Sequence, residues 1–383
     1  MNPQQRRALS AFAIVSGLIL NGCANMPNPL NLVSPAQDDR TITIAEQGSF
    51  FVGGRLLTAP GTYDPTQGTA STDPGQNFWM DQMYVQYQIP ANRRKYPLIL
   101  VHGGSGTGRV WETTPDGREG FQTLMLRRGF PVYIVDFPRR GRAGYPSFNG
   151  PFGTLAGKPV VENRTGQAGV QYAWSRWRLG PKYPEVFPVQ QFPMNAVDQF
   201  MQHLVPTVSD DREIITDALI KLIEKIGPAI LVTHSQSGLF GWLAGARSPR
   251  VMGIVAYEPG FVFEKGALPP PIPLFKGAQA SGTPVSPAEF GNLARIPLQV
   301  VYGDNIPKQP IPDLVADGRR AQVVTSKLFV DAINQKAGGN ASVLHLPDVG
   351  LFGNSHFMFS DLNNVQVADQ LSRFLNLKGL DVR

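Results

Sequence analysis

Seven short apolar runs, at residues 84–89, 98–101, 132–135, 229–232, 251–257, 298–302 and 343–346, recur along the chain with helical patterns between them. Strands alternating with helices predict an α/β fold, a mostly parallel sheet with helices on both faces. Residues 41–44 and 49–52 read as an antiparallel start to that sheet. The clearest helix is expected over residues 209–226. Ser209 can cap it, Asp210, Asp211 and Glu213 suit its first turn, and Ile215, Leu219, Leu222, Ile223 and Ile226 repeat at helical spacing before Gly227-Pro228. Further helices are expected over residues 321–336 and 365–375.

With 383 residues, 42% of them hydrophobic, the chain can bury the core of one large domain. The net charge of +6 is scattered, its densest cluster being Arg139-Arg140-Gly141-Arg142, which reads as solvated surface and not as a nucleic-acid interface. No repeat of 20 to 50 residues is present, so a solenoid is excluded.

The N-terminus has the form of an export signal: Arg6 and Arg7, an apolar run over residues 8–20, then Leu20-Asn21-Gly22-Cys23. The run is too short for a comfortable membrane span. It resembles a bacterial lipoprotein signal, with Cys23, the only cysteine of the chain, as the residue to be lipidated. Residues 1–23 are then a signal peptide, residues 24–40 a tether, and residues 41–383 the folded domain. Ala24 implies, by the same resemblance, an outer-membrane address, with soluble periplasmic or secreted protein as the alternative. Contact with a membrane is expected only through a lipid on Cys23.

The run ending at Val232 continues as Thr233-His234-Ser235-Gln236-Ser237-Gly238, a small-x-Ser-x-small pattern between strand and helix. Such a turn is a nucleophile elbow: it holds serine in a strained backbone conformation, so its neighbours two before and two after must be small. Serine attacks only when a base takes its proton, and that base needs an acid to fix its tautomer. Five histidines are available. His234 adjoins the serine and is expected to project elsewhere, His102 follows an early strand, His203 falls in a long insertion and His345 within a strand. His356, in Gly353-Asn354-Ser355-His356, alone sits in the loop between the last strand and the last helix, where the chain order serine, acid, histidine needs it.

Two carboxylates qualify as the acid, Glu258 in Tyr257-Glu258-Pro259-Gly260 and Asp304 in Tyr302-Gly303-Asp304-Asn305. Each follows a strand at the sheet edge where sites are built, and Gly303 tips the residue-level reading slightly towards Asp304. Two backbone N–H groups should face the developing oxyanion. Gln236 at the start of the elbow helix and Gly104 of His102-Gly103-Gly104-Ser105-Gly106 are the expected donors, and that glycine loop resembles the HGGG-type loop of lipases and esterases. Gly103, Ser105, Trp111, Phe357 and Met358 are the expected pocket residues. The insertion at 150–207, rich in aromatic residues, reads as a cap, and the proline-rich segment at 261–296 as an entrance loop. No Gly-Lys-Ser/Thr follows the glycine loop and no paired metal-ligand spacing occurs, so neither cofactor nor metal is expected.

Together these motifs resemble the α/β-hydrolase superfamily from about residue 48 to residue 376. Longer strings resemble the esterase-713-like group of bacterial serine esterases: residues 48–55 (Gly-Ser-Phe-Phe-Val-Gly-Gly-Arg), Gln82-Met83-Tyr84-Val85, residues 111–118 (Trp-Glu-Thr-Thr-Pro-Asp-Gly-Arg), His234-Ser235-Gln236-Ser237-Gly238 and Gly353-Asn354-Ser355-His356. In that group the triad acid is a glutamate after the strand that follows the nucleophile helix. The resemblance therefore implies Glu258, against the slight preference for Asp304. It implies hydrolysis of a small-molecule carboxylic ester, hydrophobic or cyclic, through an acyl-enzyme on Ser235. A lactonase or amidase on the same triad, or a ligand-binding lipoprotein without catalysis, are the alternatives.

Overall fold

The computed structural model describes residues 41–66, 74–145, 154–155, 158–159, 166–206 and 212–383. The expected signal peptide, the tether, Cys23 and the helix cap at Ser209 lie outside the described residues. One eight-stranded sheet organises the rest. Its strands are β1 (Ile44–Thr58), β2 (Asn77–Pro90), β3 (Leu98–Val101), β4 (Val132–Asp136), β5 (Ala229–His234), β6 (Val251–Tyr257), β7 (Leu298–Tyr302) and β8 (Ala341–His345). Their spatial order is β1-β2-β4-β3-β5-β6-β7-β8. β2 pairs antiparallel with β1 and β4, whereas every later pair is parallel. Of the two early segments read from the sequence, residues 49–52 lie within the 15-residue strand β1 and residues 41–44 only lead into it at Ile44.

Both faces of the sheet are dry at its central strands, which is why these read as unbroken apolar runs. Side chains alternate between faces, so Ile99, Val101 and Leu231 join one core while Leu98, Leu100, Ile230 and Val232 join the other. The main helices are α1 (Phe121–Arg127), α2 (Val170–Arg176), α3 (Val197–Met201), α4 (Arg212–Ile226), α5 (Ser237–Arg247), α6 (Pro287–Leu293), α7 (Leu314–Asn334) and α8 (Asn364–Leu377). α4 and α5 supply the first core with Leu219, Leu222 and Trp242, and α8 supplies the second with Leu371 and Phe374. α7 starts seven residues before the expected position because Asp313 caps it, accepting from the N–H groups of Val315 and Ala316. No helix among the described residues is long and apolar enough to cross a membrane.

One segment departs from expectation. Residues 261–296 do not border the cavity that holds Ser235. Two short strands, Val262–Glu264 and Thr283–Val285, pair with one another, and Phe261, Phe263 and Phe290 are buried against Phe329 of α7. Apolar burial fastens both ends of this stretch to the body, residues 264–284 stay exposed or half-buried, and none of it borders the cavity as an entrance loop would.

Candidate active site

β5 ends in a sharp turn at Ser235, whose φ of +54° lies in the left-handed region that side chains ordinarily avoid. The small residues on either side explain how the turn closes. A Cβ on Gly241 of α5 would stand 2.7 Å from Thr233, and one on Gly238 would stand 2.2 Å from Pro259. Ser237, at the place of the second glycine of the common pattern, stitches the turn together. Its hydroxyl is 2.9 Å from the carbonyl oxygens of Val101 and His234 and accepts from the His234 N–H at 2.8 Å.

β6 ends in a second strained residue, Glu258, at φ +49°. Its carboxylate is fully buried and gathers donors from three parts of the chain. His356 Nδ1 lies 2.6 Å from Oε2, Gly303 N donates to Oε1 at 3.1 Å, and Arg178 donates to both oxygens, with Nη1 2.7 Å from Oε2. Burial alone would raise the Glu258 pKa, but Arg178 and His356 outweigh it and hold the group well below the ordinary carboxylate range. An ionised Glu258 requires the proton of the His356 ring to sit on Nδ1, which leaves Nε2 as the free base. His356 is depressed too, first by burial and then by Arg319 and His234, with Glu258 acting in the opposite direction.

Asp304 does different work. Its Oδ2 accepts from Gly353 N at 2.7 Å, its Oδ1 from Asn305 N at 2.7 Å, and its own N–H donates to Asn354 O at 2.8 Å. These bonds brace the loop that carries His356. Asp361 braces it from the other end, accepting from Ser355 N and Oγ at 2.7 Å each and from Asn354 Nδ2 at 3.0 Å.

Ser235, His356, Gly104 and Gln236 all border one cavity of 430 Å³. Gln236 caps α5 at the start of the helix, and a Cβ on Gly104 would stand 3.3 Å from the Gln236 side chain. His102 sets the glycine loop: Nδ1 is 2.7 Å from Gly103 O and Nε2 accepts from Phe137 N at 3.2 Å. Ser105 and Phe357 line the cavity. Gly103 lies behind it, where a Cβ would come within 2.8 Å of His234 Nδ1 and 3.1 Å of Ser235 Cβ.

Two further expected pocket residues, besides Gly103, do not border the cavity. Trp111 is buried and stacks on Phe359 at 4.0 Å, with Phe121 and Tyr257 beside it, and Met358 is buried in the same core. Neither borders the cavity, because burying these large side chains in the second core removes more apolar surface from water than a half-open wall would. His234 borders the cavity as well, while its ring packs 4.4 Å from the His356 ring and places Nε2 3.0 Å from His356 O. Burial lowers its pKa to about 3, so it is a neutral prop for the base.

Four residues at the site carried no signal on their own. Arg178, Arg176 and Tyr172 come from the segment at 150–207, and Arg319 from α7; all but Arg178 border the cavity. Trp177 O, from the same segment, accepts the His356 N–H at 2.9 Å. Ser105, Arg178, Ser235 and Glu258 all have φ between +49° and +60°. At roughly 1–3 kcal/mol each, such strain persists where surrounding contacts over-determine the backbone, which is typical of reactive sites. Among the described residues no cluster of His, Cys, Asp or Glu could hold a metal ion.

Residues 98–369 match the alpha/beta hydrolase family. The chain is 29% identical over 312 residues, 75% of its length and 84% of the relative's, to Probable secreted lipase phiG of Fungal sp. (strain ATCC 74256). It also superimposes on a solved structure described as a novel bacterial esterase, with a TM-score of 0.72 and 32% identity, over 90% of this chain and 99% of that one.

Proposed function

The chain belongs to the alpha/beta hydrolase family, and from that premise we propose that it is a carboxylic ester hydrolase working through a Ser235–His356–Glu258 triad. The observation that carries this reading is the 2.6 Å contact between His356 Nδ1 and the buried Glu258 carboxylate, at the wall of the cavity that Ser235 borders. The relatives described as an esterase and a secreted lipase support the same reaction class.

In this mechanism His356 Nε2 takes the Ser235 proton as Oγ attacks the ester carbonyl. The N–H groups of Gly104 and Gln236 hold the oxyanion, and Glu258 stabilises the imidazolium. His356 then protonates the leaving alcohol. Water repeats the cycle on the acyl-Ser235 ester and frees the acid. Trp177, Leu239 and Phe357 give the cavity an apolar side suited to a hydrophobic or cyclic group. The reading is tested by assaying aryl esters, cyclic esters and anilides with the wild type and Ser235→Ala. Hydrolysis of esters that disappears in Ser235→Ala supports it, and undiminished hydrolysis in that variant contradicts it.

Export belongs to the same proposal. The basic and apolar start of the chain leads to Cys23, and the relative described as secreted supports transport out of the cytoplasm. Lipidation of Cys23 would hold the domain at the periplasmic face of a membrane, the outer one by its Ala24 neighbour. The intact mass of the mature protein decides this: a diacylglyceryl-type increment lost in Cys23→Ser supports the anchor, and an unmodified N-terminus contradicts it.

A further inference from the structure

The cavity wall carries formal charge of one sign. Arg176 and Arg319 border it, and among the described residues no carboxylate does. The nearest carboxylate, Glu258, is already committed to Arg178 and His356, and Arg319 Nη1 stays 4.0 Å away from it. Arg319 is instead held by neutral acceptors, Gln322 Oε1 at 2.8 Å and Arg176 O at 3.1 Å. The Arg176 guanidinium lies 5.3 Å from the centre of the Tyr172 ring and has no carboxylate within 4.0 Å among the described residues. Glu258 is thus shared by Arg178 and Arg319, and Arg176 is left with no carboxylate partner among the described residues.

We infer that the ester hydrolysed at Ser235 carries a carboxylate of its own, as in a half-ester of a small dicarboxylic acid, and that Arg176 and Arg319 receive it. This inference rests on the esterase reading above. A guanidinium offers paired N–H donors that match a carboxylate; Arg319 is buried, where the attraction is stronger, and Arg176 is exposed to solvent. Burial lowers the Arg319 pKa to about 10, which still leaves the group charged at neutral pH. At 430 Å³ the cavity admits a small molecule, and Trp177 and Phe357 offer an apolar surface for the methylene chain between the two carboxyl groups. The chemistry is ordinary hydrolysis: the ester C–O bond breaks, water supplies the new C–OH, and alcohol, dicarboxylate and one proton leave.

The test compares monomethyl glutarate with methyl pentanoate, equal in chain length and different in charge, by titrating the released proton. The wild type is expected to favour the glutarate in kcat/KM by about tenfold or more, with the preference shrinking as salt is added. In Arg176→Gln the glutarate-to-pentanoate ratio should fall by about tenfold, and Arg176→Glu should reverse it. Equal cleavage of both esters by the wild type, or a ratio unmoved in both variants, overturns the inference and leaves the esterase reading standing. No hydrolysis of either ester or of the wider panel overturns both.

Discussion

Arg178, from the segment at 150–207, and Glu258, at the end of β6, form a two-toothed ion pair with 3% and 0% of their side chains exposed. The same carboxylate holds His356, and Arg178 Nε also donates to Asp304 O at 2.7 Å. One guanidinium thus ties the insertion to Glu258 and, through Asp304, to the loop that carries His356.

Removing that guanidinium strands a buried carboxylate. Arg178→Met should cost about 3–5 kcal/mol of folding stability, read as a lower urea midpoint. Arg178→Lys keeps the charge without the fork, and should lower kcat/KM by about tenfold while unfolding nearer the wild type. In Arg178→Met, where the charge is gone, Glu258 acts more strongly on His356, so the acid limb of the pH–rate profile should move to higher pH. A lower midpoint with an unmoved limb would make Arg178 a structural brace only.

The two carboxylates should separate cleanly. Glu258→Gln removes the charge that stabilises the His356 cation and leaves one oxygen for the donors of His356, Gly303 and Arg178, so that an amide NH2 can face the imidazole and select the wrong tautomer. It should lower kcat by about 10⁴. Asp304→Asn retains an oxygen for the Gly353 N–H and should cost less than about tenfold. The reverse order of effects would transfer the acid role to Asp304.

Adjacent glycines should respond differently to alanine. The new methyl of Gly103→Ala would meet the His234 ring at 2.8 Å and Ser235 Cβ at 3.1 Å, displacing the nucleophile. That of Gly104→Ala would meet the end of the Gln236 side chain at 3.3 Å, which has room to yield. A loss of kcat by about 10² is expected for the first variant and a much smaller one for the second, since a misplacement of about 1 Å has that cost. Steady-state kinetics on one aryl ester checks both.

Activity should persist well into acid. The His356 pKa lies well below its usual 6.5, because burial disfavours the cation and Arg319 and His234 repel it, which Glu258 offsets only in part. The unfolded chain gains a proton on this ring as pH falls past 6.5 while the folded chain does not. The His356 contribution to stability is therefore present above that pH and lost as pH falls through the folded value. The kcat/KM profile should be flat around neutrality and decline only well below 6.5, and Arg319→Gln should move the decline upward. A wild-type limb at or above 6.5 would contradict the burial of a neutral base.

Local signals were legible in the sequence; contacts across the chain were not. The sheet followed from the apolar runs because strands buried on both faces have no polar alternation to hide them. Ser235 and His356 could be singled out because each sits in a turn whose place is fixed by neighbouring elements. Arg178 could not, since it meets Glu258 across 80 residues of sequence and nothing in the local pattern of Trp-Arg-Leu indicates which way it faces. Trp111 and Met358 show the same gap: being near the site in the chain did not decide whether they point to the cavity or to the core. The proline-rich stretch misled because its prolines suggested a loop, whereas Phe261, Phe263 and Phe290 determine where it packs.

The central claim is that Ser235 is the nucleophile. Peptide mass spectrometry after treatment with a fluorophosphonate ester tests it most directly. The account predicts one phosphonyl group, on the peptide containing Ser235, appearing in step with loss of ester hydrolysis and absent in Ser235→Ala. Full inhibition with the group on another residue, or an active protein that takes up no group at Ser235, would contradict it.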